Sequence, residues 1–199
     1  MRQAERRAQT TQRLLDAAAG VFAERGFHAA TVDDIADAAG YTKGAVYANF
    51  AGKDALFLAL LDRHLDDQIA QIDRMRAAPS DADLRAELRD ASAEQLATGG
   101  SFGLLTLEFW LYAARDATAR DALAARYRRI RDRLAAVIAE RDVASGATDS
   151  ASAHELAAQV LALDAGLFLQ HLIDPDAITP QLRANALGAL IDPDPGPAT

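Results

Sequence analysis

The chain has 199 residues, half of them apolar, no cysteine and a net charge of −8. That length suffices for a small module plus a larger one with a real core, and the missing cysteine excludes a disulfide framework or a thiolate metal site. No apolar stretch approaches the ~18 residues of a membrane span, and the first residues, Met-Arg-Gln-Ala-Glu-Arg-Arg, lack the apolar core of a secretory signal. A cytoplasmic protein with no membrane partner is therefore expected. Abundant Ala and Leu with few β-branched runs predict an all-α fold.

The charge is unevenly spread. Residues 1–55 hold seven basic and seven acidic side chains, so the whole −8 belongs to residues 56–199, with fourteen basic and twenty-two acidic ones. Residues 1–13 carry Arg2, Arg6, Arg7 and Arg13 against Glu5 alone. Such an arm either follows phosphates or a minor groove, or is a solvated start.

Residues 13–27 read as one amphipathic helix, with Leu14, Ala18 and Val21 or Phe22 as its stripe and Gly26 as its stop. Thr31 followed by Asp34 is a capping-box pattern that predicts a helix from Val32. Ile35, Ala38 and Ala39 share one face of it, and Gly40 closes it in a left-handed conformation. Thr42 caps a second helix that runs through Val46 and Tyr47. Two short helices joined by a glycine-containing turn are the pattern of a DNA-binding helix-turn-helix. On the second helix Lys43 lies in the first turn, where cations and free amides meet phosphate oxygens. Gly44 allows close approach, Val46 and Phe50 face inward, and Tyr47 and Asn49 remain as polar groups for phosphate or base edges.

With the helix that begins at Lys53, residues 11–61 closely resemble the N-terminal domain of the tetracycline-repressor-like (TetR) transcriptional regulators. The matching pieces are Leu15-x-Ala17-Ala18-x-x-x-Phe22-x-x-x-Gly26-Phe27, Thr31-Val32-x-x-Ile35-Ala36-x-x-Ala39-Gly40 and Thr42-Lys43-Gly44-x-Val46-Tyr47-x-x-Phe50-x-x-Lys53-x-x-Leu56. Two positions depart from the family pattern. Tyr41 stands where a small aliphatic residue is usual, and Gly52 where Ser or Thr usually precedes the lysine. Gly52 can still cap a helix, with the loss of a hydroxyl for phosphate.

Further along, a helix over 53–75 would be ~35 Å long and would link two modules. Residues 77–81 form a break with Ser80 or Asp81 as the next cap. Leu84, Leu88 and Leu96 mark a helix that Gly99 ends. Residues 102–112 are apolar nearly all round, which predicts a central buried helix. A helix over about 118–143 carries Arg126, Arg128, Arg129, Arg131 and Arg133. The acidic surroundings, Asp121 and Asp132 among them, predict a solvated, ion-paired face more than a nucleic-acid patch. Glu108 and Arg115, on or beside the most apolar helix, need partners if buried, and one of them could orient a ligand. Residues 145–150 read as a polar loop, and two last helices, 152–173 and 180–191, flank Asp174-Pro-Asp176. The Pro-rich tail from Asp192 is expected to fray.

Catalysis is not expected. His28, His64, His154 and His171 show no metal-ligand spacing, Gly52-Lys53 lacks the remaining glycine of a phosphate loop, and there is no nucleophile elbow. No metal and no cofactor are called for.

The expected organisation is a DNA-binding domain over 8–55, with its helix-turn-helix at 31–50, a ligand-binding and dimerisation domain over 56–192, and a tail over 193–199. Thr31, Thr42, Lys43, Gly44, Tyr47, Asn49 and Lys53 are the candidate DNA contacts. Thr31, Thr42, Tyr47 and Lys53 would act on phosphates, and Lys43 and Asn49 on base edges. Phe102, Leu105, Phe109, Trp110 and Tyr112 are the candidate pocket residues, though each could equally fill core. The resemblance implies a homodimeric repressor that binds double-stranded DNA at a palindromic operator and leaves it when a small-molecule effector binds. It also implies that 152–173 and 180–191 pack against their partners in a four-helix interface. The breadth of the apolar face on 152–173 favours the dimer independently. The alternative from another class is a helical ligand-binding or scaffold protein that does not use its helix-turn-helix on DNA.

Overall fold

A computed structural model describes residues 3–78, 80–145 and 150–191. Arg2, Pro79, the 146–149 part of the polar loop and the tail from Asp192 lie outside the described residues. The described residues are helical, with no strand: α1 (Gln3–Ala29), α2 (Val32–Ala39), α3 (Lys43–Tyr47), α4 (Lys53–Arg76), α5 (Asp81–Thr98), α6 (Gly100–Ala113), α7 (Ala117–Ser145), α8 (Ser150–His171) and α9 (Pro180–Ile191). This is the all-α architecture that the composition predicts, with an N-terminal three-helix helix-turn-helix arrangement.

The chain packs as two compact units. One comprises the residues up to Leu65 together with Ser101–Arg126, and the other comprises Asp66–Gly100 with the described residues from Tyr127 onward. Long helices α4 and α7 therefore each contribute to both.

In the first unit the core is aromatic. Phe22, Phe27, Phe57 and Phe109 are almost completely buried, with Leu14, Ile35, Val46, Leu56 and Leu61 around them. Leu56, Phe57, Leu60, Leu61 and Leu65 give α4 its inward stripe. Helix α1 is longer than its apolar stripe predicts, because it starts at Gln3 and takes in the basic arm. Arg6, Arg7 and Arg13 are thus displayed on an exposed helix rather than on an extended arm.

Helix α6 differs from the expectation of a helix buried all round. Leu105, Phe109 and Ala113 are buried, four residues apart and so on one face. Leu104 and Leu111 are about half exposed, at 52% and 53%. A uniformly apolar sequence carries no record of which face its neighbours cover.

The second unit has an aliphatic core of Leu84, Leu88, Leu134, Ile138, Ala157, Val160, Ala184 and Leu187. Ser80 is the N-cap of α5 and accepts from Asp83 N–H. Gly99 N–H donates to Gln95 O at 2.8 Å. A Cβ at Gly99 would lie 2.5 Å from that carbonyl, so no larger residue fits there. Arg129 and Arg133 pair with Asp66 and Asp73, and Arg76 pairs with Glu140 at 2.6 Å. The arginine-rich segment is ion-paired, but its partners lie on α4 rather than in the local sequence. Exposed pairs of this kind contribute about 0–1 kcal/mol each. Arg183 is the buried exception, 3% exposed, with Gln95 and Asp164 as its partners.

Candidate nucleic-acid interface

The α2–α3 pair is built by local capping. Thr31 has extended backbone and accepts from Asp34 N–H at 3.1 Å, while the Asp34 carboxylate accepts from Thr31 N–H at 3.0 Å. Arg25 reaches the same carboxylate at 2.6 Å. Hydrogen bonds from Thr31, with Arg25 adding attraction, hold the Asp34 pKa below the usual carboxylate value. Gly40 is left-handed at φ 70°, and Tyr41 N–H returns to Ala36 O at 2.9 Å. That arrangement closes α2 with the carbonyls of its last turn satisfied. Thr42 then caps α3 by accepting from Ala45 N–H at 3.3 Å. Ile35 and Val46, both fully buried, pin the two helices to the aromatic core.

This leaves Thr42, Lys43, Gly44, Tyr47 and Ala48 exposed on the outer side of α3. Lys43 is held meanwhile by Asp33, Nζ to Oδ2 2.9 Å, which raises its pKa through a hydrogen bond and Coulombic attraction. Tyr47 is 52% exposed.

The other candidate residues are placed differently. Thr31 uses its hydroxyl in the capping box. Asn49 donates to Ala45 O at 2.8 Å and meets the Thr11 hydroxyl of α1 at 3.2 Å. Its amide is therefore occupied within the module. Lys53 donates to His28 O at 3.2 Å and Ala30 O at 3.0 Å, with its ammonium 4.6 Å above the Phe27 ring. Burial lowers its pKa, against the pull of Asp54 and Glu108. The amine thus closes the α1–α2 turn instead of standing free in solvent.

The five candidate pocket residues all belong to the first unit. Phe109 stacks on Phe57 at 4.1 Å and meets Phe27 edge-on at 5.1 Å. Leu105 is equally buried, whereas Phe102, Trp110 and Tyr112 are half-buried. Tyr112 donates to Asp54 Oδ2 at 2.9 Å, a bond that raises its pKa. Glu108 accepts from Phe27 N–H at 2.6 Å, while Arg115 is exposed. Sequence reasoning missed Glu108 as a partner of the helix-turn-helix module. The sequence marked Glu108 only as a charge on an apolar helix in need of a partner, and nothing at Gly26-Phe27 names it as that partner.

Residues 14–60 match the model of bacterial regulatory proteins of the tetR family, and residues 102–192 match that of the BetI-type transcriptional repressor C-terminal domain. The chain belongs to the TetR family. It is 44% identical over 87 residues to the transcriptional activator FasR of Mycolicibacterium smegmatis, a match covering 44% of this chain and 37% of that protein. It is 52% identical over 54 residues to the transcriptional repressor KstR2 of Rhodococcus jostii, which covers 27% of this chain and 26% of that protein. The matched stretch thus spans about a quarter to two fifths of these relatives' lengths. A crystal structure of a candidate transcriptional regulator from Pseudomonas aeruginosa PAO1 superposes with a TM-score of 0.75. It is 24% identical, and the match covers 97% of this TetR-family chain and 91% of that one. Among the described residues no helix is long and apolar enough to cross a membrane, and no His, Cys, Asp and Glu side chains are grouped to hold a metal.

Proposed function

We propose that this TetR-family chain is a ligand-responsive, DNA-binding transcriptional regulator, a homodimeric repressor that a small molecule releases from a palindromic operator. The observation that carries the reading is the outer side of α3, where Thr42, Lys43, Gly44 and Tyr47 stand exposed on a helix whose inner side is locked into core. A Cβ at Gly44 would meet nothing closer than the Thr42 hydroxyl at 3.8 Å. The free protein has no need of glycine there, whereas a helix lying in a groove does. In this reading Lys43 reads base edges and Thr42 and Tyr47 touch phosphate. Thr31, Asn49 and Lys53 contribute chiefly by fixing the module. Reading is assigned to residues 8–55 and regulation to 56–192.

The dimer reading draws on α8 and α9. Ala158, Ala162 and Leu182 are exposed, and a Cβ at Gly166 would meet open space. Glycine inside a helix costs about 1 kcal/mol relative to alanine, which close packing by a second copy would offset. The effector is proposed to act at α6, beside the half-buried Phe102, Trp110 and Tyr112. A small apolar molecule, uncharged or anionic, is the first class to screen.

The test is selection from random duplex DNA with the full-length chain, followed by titration at several salt concentrations. Inverted repeats and a steep salt dependence are expected. Direct repeats or unrelated single sites would overturn the symmetric dimer. No selection together with flat salt dependence would leave a helical binding module that does not use DNA. An effector should perturb the fluorescence of Trp110, the single tryptophan, and weaken operator binding.

A further inference from the structure

Gly26 interrupts α1 with φ 74° and ψ 171°, a conformation accessible essentially to glycine alone. The break turns the next amide off the helical track, and Glu108 of α6 captures it, Phe27 N to Oε2 2.6 Å. The carboxylate lies so close that a Cβ on Gly26 would stand 2.7 Å from its Oε1. The backbone conformation demands glycine here, and a Cβ would in addition push the end of the Glu108 side chain away from the Phe27 amide.

The surroundings tie the same point to the start of α4. The Phe27 ring is buried against Phe57 and Phe109. Lys53, the first residue of α4, bridges the carbonyls of His28 and Ala30 at the end of α1. One turn along α6 from Glu108, Tyr112 donates to Asp54, the second residue of α4. Residues four apart on one helix share a face, so α6 holds the end of α1 and the beginning of α4 from one side.

We propose that Glu108 is a positioning residue that fixes the angle at which α2 and α3 leave α1, so that the DNA-reading geometry is set from a helix outside the helix-turn-helix module. The inference rests on the DNA-reading function proposed above. Without the carboxylate, the glycine that permits the turn also leaves it two soft dihedrals. With it, that freedom is removed by a charge-assisted bond, the stronger kind. A shift of α6 by about an ångström takes the pair beyond hydrogen-bonding distance. The end of α1 then keeps the Lys53 bridges and the packing of the Phe27 ring but loses the bond that fixes its backbone at the glycine. Base reading, which needs α3 aimed at particular base edges, suffers more than attraction to phosphates, which carries no sequence information.

The experiment uses the full-length chain, an operator selected by the wild type, and a scrambled duplex at the same salt. Glu108→Ala is expected to lose about tenfold or more in operator affinity, the worth of a hydrogen bond to a charged group, with little change on scrambled DNA. Amide exchange at Phe27 should accelerate relative to that at Ile35. Glu108→Gln, which keeps an acceptor in place, should recover most of the selectivity. Gly26→Ala should harm the wild type more than it harms Glu108→Ala, because the carboxylate it collides with is gone. If Glu108→Ala fails to fold, Glu108→Asp carries the same measurements, since its carboxylate stops one methylene short. A folded Glu108→Ala or Glu108→Asp protein with unchanged selectivity, or with unchanged Phe27 exchange, overturns the proposal. So do Gly26 and Glu108 substitutions that act independently. A wild type that selects no sequence would instead sink the regulator reading, and Phe27 exchange would still decide whether Glu108 holds the turn.

Discussion

Phe109 offers a direct measure of whether α6 fills core or lines a void. Its side chain is fully buried, stacked on Phe57 at 4.1 Å and edge-on to Phe27 at 5.1 Å. Truncating a phenylalanine in a filled core costs about 3–5 kcal/mol, of which the lost ring pairing accounts for roughly 0.5–1.5 kcal/mol. In a chain of this size each kcal/mol lowers the melting temperature by about 2–4 °C. Phe109→Ala should therefore melt roughly 6–20 °C below the wild type. The assay is scanning calorimetry at one fixed protein concentration, because association contributes to the apparent stability. Leu111→Ala, at a half-exposed position of the same helix, is the control and should fall within about 0.5 kcal/mol. A Phe109→Ala loss below about 1 kcal/mol would refute the reasoning, because a ring that lines an open pocket gives up few contacts. The result also decides how effector data are read. If the ring is core, a Phe109→Ala protein that ignores an effector has lost packing, not a binding wall.

Three further outcomes are expected. Lys43→Ala should relax base preference and cost more affinity on the selected operator than on scrambled DNA, whereas Lys53→Met should lower the melting temperature and leave base preference unchanged; equal losses on both duplexes for Lys43→Ala would count against its role as a reader. The lowered Asp34 pKa means that its capping contribution is present above the unfolded pKa of 3.8 and is lost as pH falls through the depressed folded value, so the Thr31 and Asp34 amides should lose exchange protection together on acidification. Asp164→Ala should destabilise the second unit by about 3–5 kcal/mol, because it leaves the buried Arg183 guanidinium without a carboxylate, and denaturant melts that show less than 1 kcal/mol would mean that Gln95 alone suffices.

What could be read in the sequence was whatever is encoded within a few residues. The Thr31–Asp34 box, the Gly40 closure, the Thr42 cap and the starts of α2 and α4 are local backbone chemistry, and the structure has them at those residues. The helix breaks near Ser80 and Gly99 follow for the same reason. What could not be read depends on partners far along the chain. Asn49 is engaged by Thr11, Lys53 by the end of α1, and Glu108 by an amide 81 positions away. The acidic partners of Arg129 and Arg133 on α4 lie 63 and 60 residues upstream. Helix α6 shows the complementary limit, since a segment apolar on every side has no periodicity from which to derive its exposed face. Gly52 adds a conformational point. Its φ of 149° is rarely adopted by residues with side chains, so the Ser or Thr usual in the family would be strained in this backbone.

The pair between Asp33 and Lys43 gives the module a resident competitor. The Asp33 carboxylate of the same polypeptide already occupies the lysine that faces outward from α3. On the DNA-reading function proposed above, Lys43 must release that carboxylate before its ammonium can engage a duplex. Being common to every sequence, that cost lowers affinity for matched and unmatched duplexes by the same factor and leaves their ratio unchanged. On the proposed reading Asp33 thereby sets how much the contacts made by Lys43 must return before the module stays bound, without itself choosing among sequences.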